Sequence, residues 1–405
     1  MRFLMVMRIG AERAAVSALF LANGLMIGSW APKLAVLIHR LEISEGTAGL
    51  VVLCLGLGSL VIMPVFGAMT ARVGSRRAVC LAGLLAAPTL LLITMAPGLV
   101  GVAISVFLFG GLLGGMDIAM NANAVAFERA RCRAIMSSCH GFWSLGGVIG
   151  SGLGGVVLAA WGEVAHAVLI TVLFLAILAL ALPRTQADRP ASDVQRPPVR
   201  LPRDPLPYVL GFVALCCMVP EGAILDWGTV YLQRELGASL ALAGWAFAAC
   251  AATMAIVRFV GDMLRQRFGA VGMMRVSAIV AICGLVVAGS ASGPLGAIAG
   301  FGLAGIGIAN LVPIVISAAG NLPGMAHGVG LSIVTVMGYS GILLAPGSIG
   351  YLAERMSFSF IYLGLGGLLL VPLLLSGLMR SASLNAGEPD ALGASGSAQG
   401  VDHAA

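Results

Sequence analysis

The chain alternates between long apolar runs and short polar segments over most of its length. A helix needs about 20 largely apolar residues to cross the roughly 30 Å hydrocarbon core of a bilayer. Nine runs lack Asp, Glu, Lys and Arg: residues 14–32, 47–71, 78–116, 134–162, 164–183, 205–220, 236–257, 276–353 and 356–379. Two runs exceed one crossing and contain turn-forming breaks, at Pro97-Gly98, at Ser290–Pro294 and at Asn321–Gly324. The pattern predicts an all-α polytopic membrane protein with twelve transmembrane helices.

Composition strengthens this prediction. Apolar residues make up 59% of the chain and charged residues 10%, whereas soluble domains average about 25% charged residues. No polar stretch before the C-terminal tail is long enough for a soluble domain. The lipid bilayer is therefore the expected environment. Nucleic acid is not an expected partner despite the net charge of +6, because the arginines form short clusters between apolar runs without interleaved aromatic residues.

The basic residues also predict the orientation of the chain. If both termini are cytoplasmic, 18 of the 23 Lys and Arg residues fall in cytoplasmic segments, as the positive-inside rule requires. The first apolar run lacks a small-residue cleavage site and is long enough to span, so we expect it to be retained as helix 1. We predict a multi-pass protein of a bacterial-type inner membrane.

A polar segment and an internal repeat divide the chain into two halves. Residues 184–205 are rich in Pro and Arg, which is typical of a cytoplasmic linker between residues 1–183 and 206–380. Residues 381–405 are rich in Gly, Ala and Ser, and we expect a disordered cytoplasmic tail. A shift of 195 residues relates Leu41, Ser44, Ala48, Gly49, Arg72 and Gly74 to Leu236, Ser239, Ala243, Gly244, Arg267 and Gly269. Such repeats are typical of secondary transporters with two pseudo-symmetric six-helix halves.

Enzymatic and metal-binding patterns are absent from the sequence. The eight cysteines show no CxxC spacing and no paired histidine, and no HExxH, GxSxG or Walker motif occurs. A sensor would normally carry a soluble output domain. We expect a monomeric carrier, without cofactor or metal, rather than an enzyme or a sensor.

The segment from Gly67 through Arg72, Gly74, Arg76 and Arg77 resembles the signature loop between helices 2 and 3 of the major facilitator superfamily. Ala71 replaces the acidic residue of that pattern. The second-half counterpart runs from Arg258 and Asp262 to Gly269. Within the superfamily, the stretch Met116–Asn121 is similar to the helix 4 signature of fucose-permease-like symporters. The resemblance implies alternating access, with helices 1, 4, 7 and 10 lining a central cavity.

Three acidic residues fall inside predicted helices, and an ionised side chain at mid-membrane costs about 2.5 to 3.5 kcal/mol on insertion scales. Asp117 lies in predicted helix 4, with Asn121 one turn away on the same face. A poorly hydrated site favours the neutral acid, so we hypothesise that Asp117 binds the coupled proton. The alternative is a structural hydrogen bond to a neighbouring helix. His140 could relay a proton to Asp117, or could bond near the cytoplasmic loop.

Predicted helix 7 carries the other two acids, Glu221 and Asp226. Pro220 and Gly222 flank Glu221, and we expect them to loosen the helix there. The five-residue spacing rotates by about 140° on a regular helix. We therefore predict that Glu221 faces the cavity and couples protons, and that Asp226 lies nearer the periplasmic gate. Arg258 is predicted to form a structural ion pair with Asp262 or to contact the lipid interface.

Aromatic and amide side chains on the cavity helices suit an uncharged polar solute such as a sugar. The candidate substrate-binding residues are Asn23, Trp30, Asn121, Asp226, Trp227 and Asn310. Trp30 and Trp227 could instead be interfacial anchors. Gly146, Gly150, Gly154 and Gly155 resemble a glycine motif of drug and proton antiporters, so export of an amphipathic compound is the alternative function. Close helix packing would also explain these glycines.

Overall fold

A computed structural model of the protein describes residues 2–131, 135–185, 202–320, 322 and 329–382. Within these ranges, the side chains of residues 2–9, of residues 261–266 and of a few single positions are not described. The described residues form helices and connecting turns, without a β-strand.

Fourteen α-helices follow one another in the described part of the chain. They are α1 (Arg2–Leu41), α2 (Glu45–Val73), α3 (Ser75–Ala86), α4 (Thr89–Met95), α5 (Gly98–Arg131), α6 (Met136–Val148), α7 (Gly154–Ala181), α8 (Leu206–Arg234), α9 (Leu240–Ala243), α10 (Trp245–Gly289), α11 (Pro294–Gly320), α12 (Val329–Ala353), α13 (Phe358–Leu368) and α14 (Leu370–Leu374). A π-helical turn at Ile149–Leu153 joins α6 to α7.

The described helices account for twelve crossings. Ten helical segments are long and apolar enough to span a membrane. One of them, Ser138–Arg184, has 47 residues and would extend about 70 Å if straight. It turns at Gly162, where φ is 79°, and therefore supplies two crossings. The shorter apolar helix Phe358–Leu374 completes the set, as the apolar runs predict.

The predicted breaks coincide with the observed helix ends where the structure describes them. Helix α4 ends at Met95 and α5 begins at Gly98, while α10 ends at Gly289 and α11 begins at Pro294. The third break, at Asn321–Gly324, lies almost wholly outside the described residues. The same is true of linker residues 186–201 and tail residues 383–405.

The 195-residue repeat corresponds to repeated local structure. Ser44 caps α2 by accepting a hydrogen bond from the Thr47 N–H, and Ser239 caps α9 by accepting one from Leu242. The turns that follow these crossings use Gly74 and Gly269, with φ of 88° and 71°. Positive φ strains residues with a Cβ, so each half needs glycine at this turn.

The two ends of the bundle are distinguished by polar contacts. At one end, the Arg131 guanidinium pairs with Glu12 at 2.5 Å and the Asn123 amide donates to the Ser75 hydroxyl at 2.8 Å. We call this end, where α1 begins, the terminal face. The other end holds Glu45, Glu163, Arg234 and Glu354, and we call it the distal face.

A buried lysine stabilises the first half near the distal face. The Lys33 ammonium is completely buried, lies 3.1 Å from the Glu163 carboxylate and donates to the Thr94 hydroxyl at 2.6 Å. Arg40 shares the same carboxylate oxygen and donates to the carbonyl groups of Ile93 and Thr94 at the end of α4. Buried charges require such partners, so this cluster fixes α1 against α4 and α7.

Glycines let α1 and α6 approach closely within the first half. A Cβ on Gly28 would lie 2.5 Å from the Gly147 carbonyl oxygen, and Gly24 faces the Trp143 backbone. In membranes such small-residue contacts replace the hydrophobic driving force that packs helices in water.

Replacing Gly28 with leucine should lower thermal stability, because overpacking a tight contact costs about 1 to 3 kcal/mol. Thermal unfolding of the detergent-purified protein, followed by loss of the monodisperse size-exclusion peak, measures the effect. Gly364→Leu on α13 is the matched control, since a Cβ there meets no atom within 4 Å. Equal stability of the two variants would contradict the predicted role of this contact.

Candidate functional site

Two acidic residues lie at the middle depth of the bundle on helices of different halves. Asp117 is 14 residues from the end of α5 at Arg131, and Glu221 is 13 residues from the end of α8 at Arg234. At a rise of about 1.5 Å per residue, each lies about 20 Å from its helix end. This depth is the most costly place for an ionised carboxylate.

Asp117 is bonded only to its own helix among the described residues. The Asn121 amide donates to the Asp117 carboxylate at 3.2 Å and to the Asp117 backbone carbonyl at 2.9 Å. No Lys, Arg or His ion-pairs with Asp117 in the described part of the chain. The alternative predicted for Asp117, a hydrogen bond to a neighbouring helix, is therefore not observed in the described structure.

Glu221 belongs to a polar group that joins three helices. Its carboxylate lies 3.8 Å from the Arg258 guanidinium on α10. The same guanidinium donates to the Ser144 hydroxyl on α6 at 2.7 Å. Arg258 thus connects the second half to the first, and the long distance to Glu221 indicates a weak ion pair.

The space beside these acids is accessible. Tyr339 on α12 is 44% exposed, yet its hydroxyl lies within electrostatic reach of both Asp117 and Glu221. Its exposure is therefore to the interior of the bundle rather than to lipid. A Cβ at Gly222 would meet nothing within 4 Å. We define the central cavity as the space bordered by Asp117, Asn121, Glu221, Arg258 and Tyr339.

The central cavity is closed from the distal face. Contacts between the halves are concentrated there: a Glu45–Arg234 ion pair, a hydrogen bond from the Gly46 N–H to Glu354 at 2.9 Å and one from the Ser151 hydroxyl to the Gly244 carbonyl at 2.6 Å. The backbones also meet at Gly49, where a Cβ would lie 2.9 Å from the Pro346 carbonyl oxygen. These contacts bring α2 against α12 and the π-turn against α10.

Asn23 is a structural residue rather than a cavity residue. Its amide donates to the Leu113 carbonyl at 3.0 Å and accepts from the Trp143 indole N–H at 2.9 Å. Asn23 is buried and connects α1, α5 and α6. Its polar atoms therefore already have partners in the first half, and its contact with solute stays a prediction.

Trp30 and Asp226 form a hydrogen bond between the two halves. The Trp30 indole N–H donates to the Asp226 carboxylate at 3.0 Å, and the two residues are 0% and 5% exposed. Trp227 is also fully buried and packs against Phe358, with ring centroids 5.7 Å apart. Neither tryptophan is therefore an interfacial anchor, and neither borders the central cavity in this state.

The remaining candidate residues are placed as follows. His140 packs edge-to-face on Phe20, with ring centroids 5.3 Å apart, and lies within electrostatic reach of Arg258, so its relay to Asp117 stays a prediction. Asn310 is buried on α11, and its amide N–H group has no hydrogen-bond partner among the described residues. A buried donor without a partner is costly, which makes Asn310 a candidate solute contact.

The signature loop lies at the turn from α2 to α3. Gly74 makes this turn at positive φ. Arg72 and Arg77 are exposed, Arg76 is half-buried, and Gly67 has only Ile118 nearby. In the second copy, the Asp262 side chain lies outside the described residues. Arg258 does not contact the lipid interface as one alternative predicts, because it pairs with Glu221 in the central cavity.

The expected loosening of predicted helix 7 is not observed. Helix α8 is continuous from Leu206 to Arg234, with Pro220 inside it. Glu221 and Asp226 nevertheless have different partners, on α10 and on α1 respectively.

The sequence of this chain matches a family model over residues 14–323, and that model describes the Major Facilitator Superfamily. The chain belongs to the major facilitator superfamily. As a superfamily member it is a transporter rather than an enzyme. An uncharacterized MFS-type transporter of Yersinia pestis is 32% identical over 351 residues, which cover 86% of this chain and 91% of that protein.

Solved superfamily structures share the fold. The nucleoside transporter NupG superposes with a TM-score of 0.74 at 12% identity, over 91% of this chain and 99% of that one. The Escherichia coli fucose:proton symporter FucP superposes with a TM-score of 0.63 at 16% identity, over 91% and 98% of the two chains. At these identities, the similarity concerns the fold alone.

Two residues near the acids, Ser144 and Tyr339, are not predicted from the sequence. Ser144 lies in the polar-aromatic segment that follows His140, and its position opposite Arg258 depends on how α6 meets α10. Tyr339 is one of several hydroxyl side chains inside the long apolar run of residues 276–353. Only the packing of α12 against the first half reveals that it faces two acids.

Asn23→Leu should destabilise the transporter by about 1 to 3 kcal/mol, because the Trp143 indole N–H then remains buried without an acceptor. Thermal unfolding of purified protein measures this loss. The double variant Asn23→Leu with Trp143→Phe should recover part of the stability, since both partners are then apolar. A double variant as unstable as the sum of the two single variants would contradict a direct bond.

Proposed function

We propose that this superfamily transporter carries a small uncharged polar solute into the cell together with a proton. Transport proceeds by alternating access of two six-helix halves, residues 1–183 and 206–380, which residues 184–205 connect. The protein acts as a monomer in the inner membrane. Its terminal face is cytoplasmic, and the tail of residues 381–405 lies on the same side.

Charge distribution supports this orientation. With the terminal face inside, 18 of 23 basic residues lie on the cytoplasmic side, as the positive-inside rule favours. Arg72 and Arg77 at the α2–α3 turn are among them. In this orientation the distal-face contacts close the periplasmic side, and the central cavity belongs to a state from which solute leaves toward the cytoplasm.

The proposal rests on Asp117, which lies at mid-depth without a basic partner among the described residues. A carboxylate at this depth is stabilised by binding a proton, because no described basic side chain compensates its charge. Asp117 belongs to the first half, and the Glu221–Arg258 pair across the cavity belongs to the second. Relative movement of the halves would change the surroundings of both acids, which is the requirement for coupling proton binding to transport.

Uncharged polar groups near the cavity support a polar solute. The Asn121 amide and the Tyr339 hydroxyl border the central cavity, and the Asn310 amide on α11 has no hydrogen-bond partner for its N–H group among the described residues. Ligand pockets typically combine apolar side chains with a few such donors and acceptors. Among the structures with this fold, one is named a nucleoside transporter and one a fucose:proton symporter.

Proton-driven export is the second candidate function, favoured by the glycine motif of α6 and α7. The structure provides a packing role for two of its glycines. Gly146 and Gly150 face the backbone of α1 at Leu21 and Leu25, so they serve contacts within the first half. Uptake remains the better-supported direction, because close packing explains these glycines without export.

Asp117→Asn should abolish proton-driven accumulation, since asparagine preserves the size of the side chain but does not bind a proton at this position. Proteoliposomes with an imposed pH gradient and a panel of labelled sugars, nucleosides and drugs identify the solute and measure the effect. Exchange of solute without a gradient should survive in the variant.

The matched control is Asp204→Asn, which alters an exposed acid before α8 and should leave the proton dependence as in wild type. Proton-driven accumulation that is unchanged in Asp117→Asn would contradict the coupling role.

Direction is tested with vesicles of known orientation. An inward proton gradient should drive solute from the distal side to the terminal side. Export of an amphipathic drug against its gradient, with no uptake of any sugar or nucleoside, would instead support the antiporter.

A further inference from the structure

Asp226 is a third intramembrane acid, outside the central cavity and inside the contact that closes the distal face. It lies eight residues before Arg234 at the distal end of α8, which places it about 12 Å from that end. Its carboxylate accepts the Trp30 indole N–H of the other half. The bond connects α1 with α8, the first helices of the two halves.

No cation compensates Asp226 among the residues that the structure describes. Among the lysines and arginines described at the distal face, Lys33 and Arg40 bond to Glu163, Arg234 bonds to Glu45 and Arg355 pairs with Glu354. His166 is buried near Lys33, and its ring nitrogens have no hydrogen-bond partner among the described residues. Tyr362 on α13 is the described titratable group that lies close enough to interact electrostatically with Asp226. Its hydroxyl donates to the Ala223 carbonyl. The neutral indole N–H is therefore the one described polar partner of this carboxyl group.

Closure of the distal face is what removes Asp226 from water. The contacts of Glu45 with Arg234 and of Gly46 with Glu354 lie toward the distal solution. Gly350 packs against Trp227, the neighbour of Asp226. When the halves separate at this face, Asp226 loses Trp30 and gains contact with the distal solution.

These two states favour different protonation states of Asp226. In the closed state, an ionised carboxylate would be buried with one neutral hydrogen bond, and desolvation outweighs that single bond. A protonated carboxyl group keeps its carbonyl oxygen as an acceptor for Trp30 and avoids the desolvation cost. In the open state, water stabilises the carboxylate.

We infer that Asp226 is a proton-binding site of the distal gate, at which a proton from the distal solution stabilises closure by removing the desolvation cost of the carboxylate while the Trp30 bond is kept. The inference rests on the proposed alternating access of the two halves, but not on the coupling role of Asp117. It assigns Asp226 to the gate and not to solute binding. Acidification of the distal solution should close the gate, and alkalinisation should open it.

The test measures the distal opening directly and needs no solute. Nitroxide labels on Trp161→Cys in the first half and Leu295→Cys in the second occupy exposed positions, in a background without native cysteines. Pulsed dipolar spectroscopy of the full chain in nanodiscs then gives the distance distribution between about pH 5 and about pH 8, where buried carboxyl groups titrate.

The wild-type background should shift toward the short, closed distance as pH falls. Asp226→Asn, which is neutral but can still accept from Trp30, should stay closed at every pH. Trp30→Phe keeps the acid but removes its donor, so it should be more open at every pH and still respond to pH. Glu42→Gln, which alters an exposed acid at the same face, should respond as the background does.

Two results would overturn the inference. One is a distance between the two labels that does not change with pH in the background protein. This result does not depend on the folding of the Asp226 or Trp30 variants. The other is an Asp226→Asn variant with the full pH response of the background. The experiment measures the distance between the labels and not transport. Its outcome therefore tests the role of Asp226 whether or not Asp117 couples protons.

Discussion

The high cost of an ionised side chain in a lipid-embedded bundle governs the organisation of this transporter. Lys33 and Glu163 avoid that cost by pairing with each other within one half. Asp117 and Asp226 have no such partner among the described residues, and Glu221 has Arg258 only at 3.8 Å. The Lys33–Glu163 pair lies within the first half and the Glu45–Arg234 pair joins the two halves at the distal face, whereas the poorly compensated acids lie deeper in the bundle, on α5 and α8.

Glycine also forms the contact between the halves. At the distal face, Gly49 meets the Pro346–Gly347 backbone and Gly155 meets Gly244. Contacts of this kind bury little side chain, so separation of the halves disrupts few interdigitated residues. Within the first half, the α1–α6 contact combines glycines with the Asn23 hydrogen bonds to Leu113 and Trp143. The internal contact is therefore more specific than the contact between the halves.

Much of the fold can be predicted from the sequence, because lipid imposes a simple rule on helix length and charge. The apolar runs predict the twelve crossings, and the shift of 195 residues predicts the matching caps at Ser44 and Ser239 and the matching turns at Gly74 and Gly269. The site is less predictable. Arg258 lies 3.8 Å from Glu221 of another helix, a partner that the spacing along its own helix does not indicate. Asn23 and Trp30 share a helix face, yet both are used in protein contacts. These outcomes depend on tertiary packing, which periodicity does not encode.

The cavity beside the mid-depth acids is closed from the distal face, and we propose that it opens toward the terminal face. A cysteine at Gly222, in a background without native cysteines, places a thiol in the open space beside Glu221. Its reaction with a membrane-impermeant thiol reagent can be compared in inverted and right-side-out vesicles. We expect labelling when the terminal face meets the reagent and protection when the distal face does. Equal labelling from the two sides, or preferential labelling from the distal side, would contradict it.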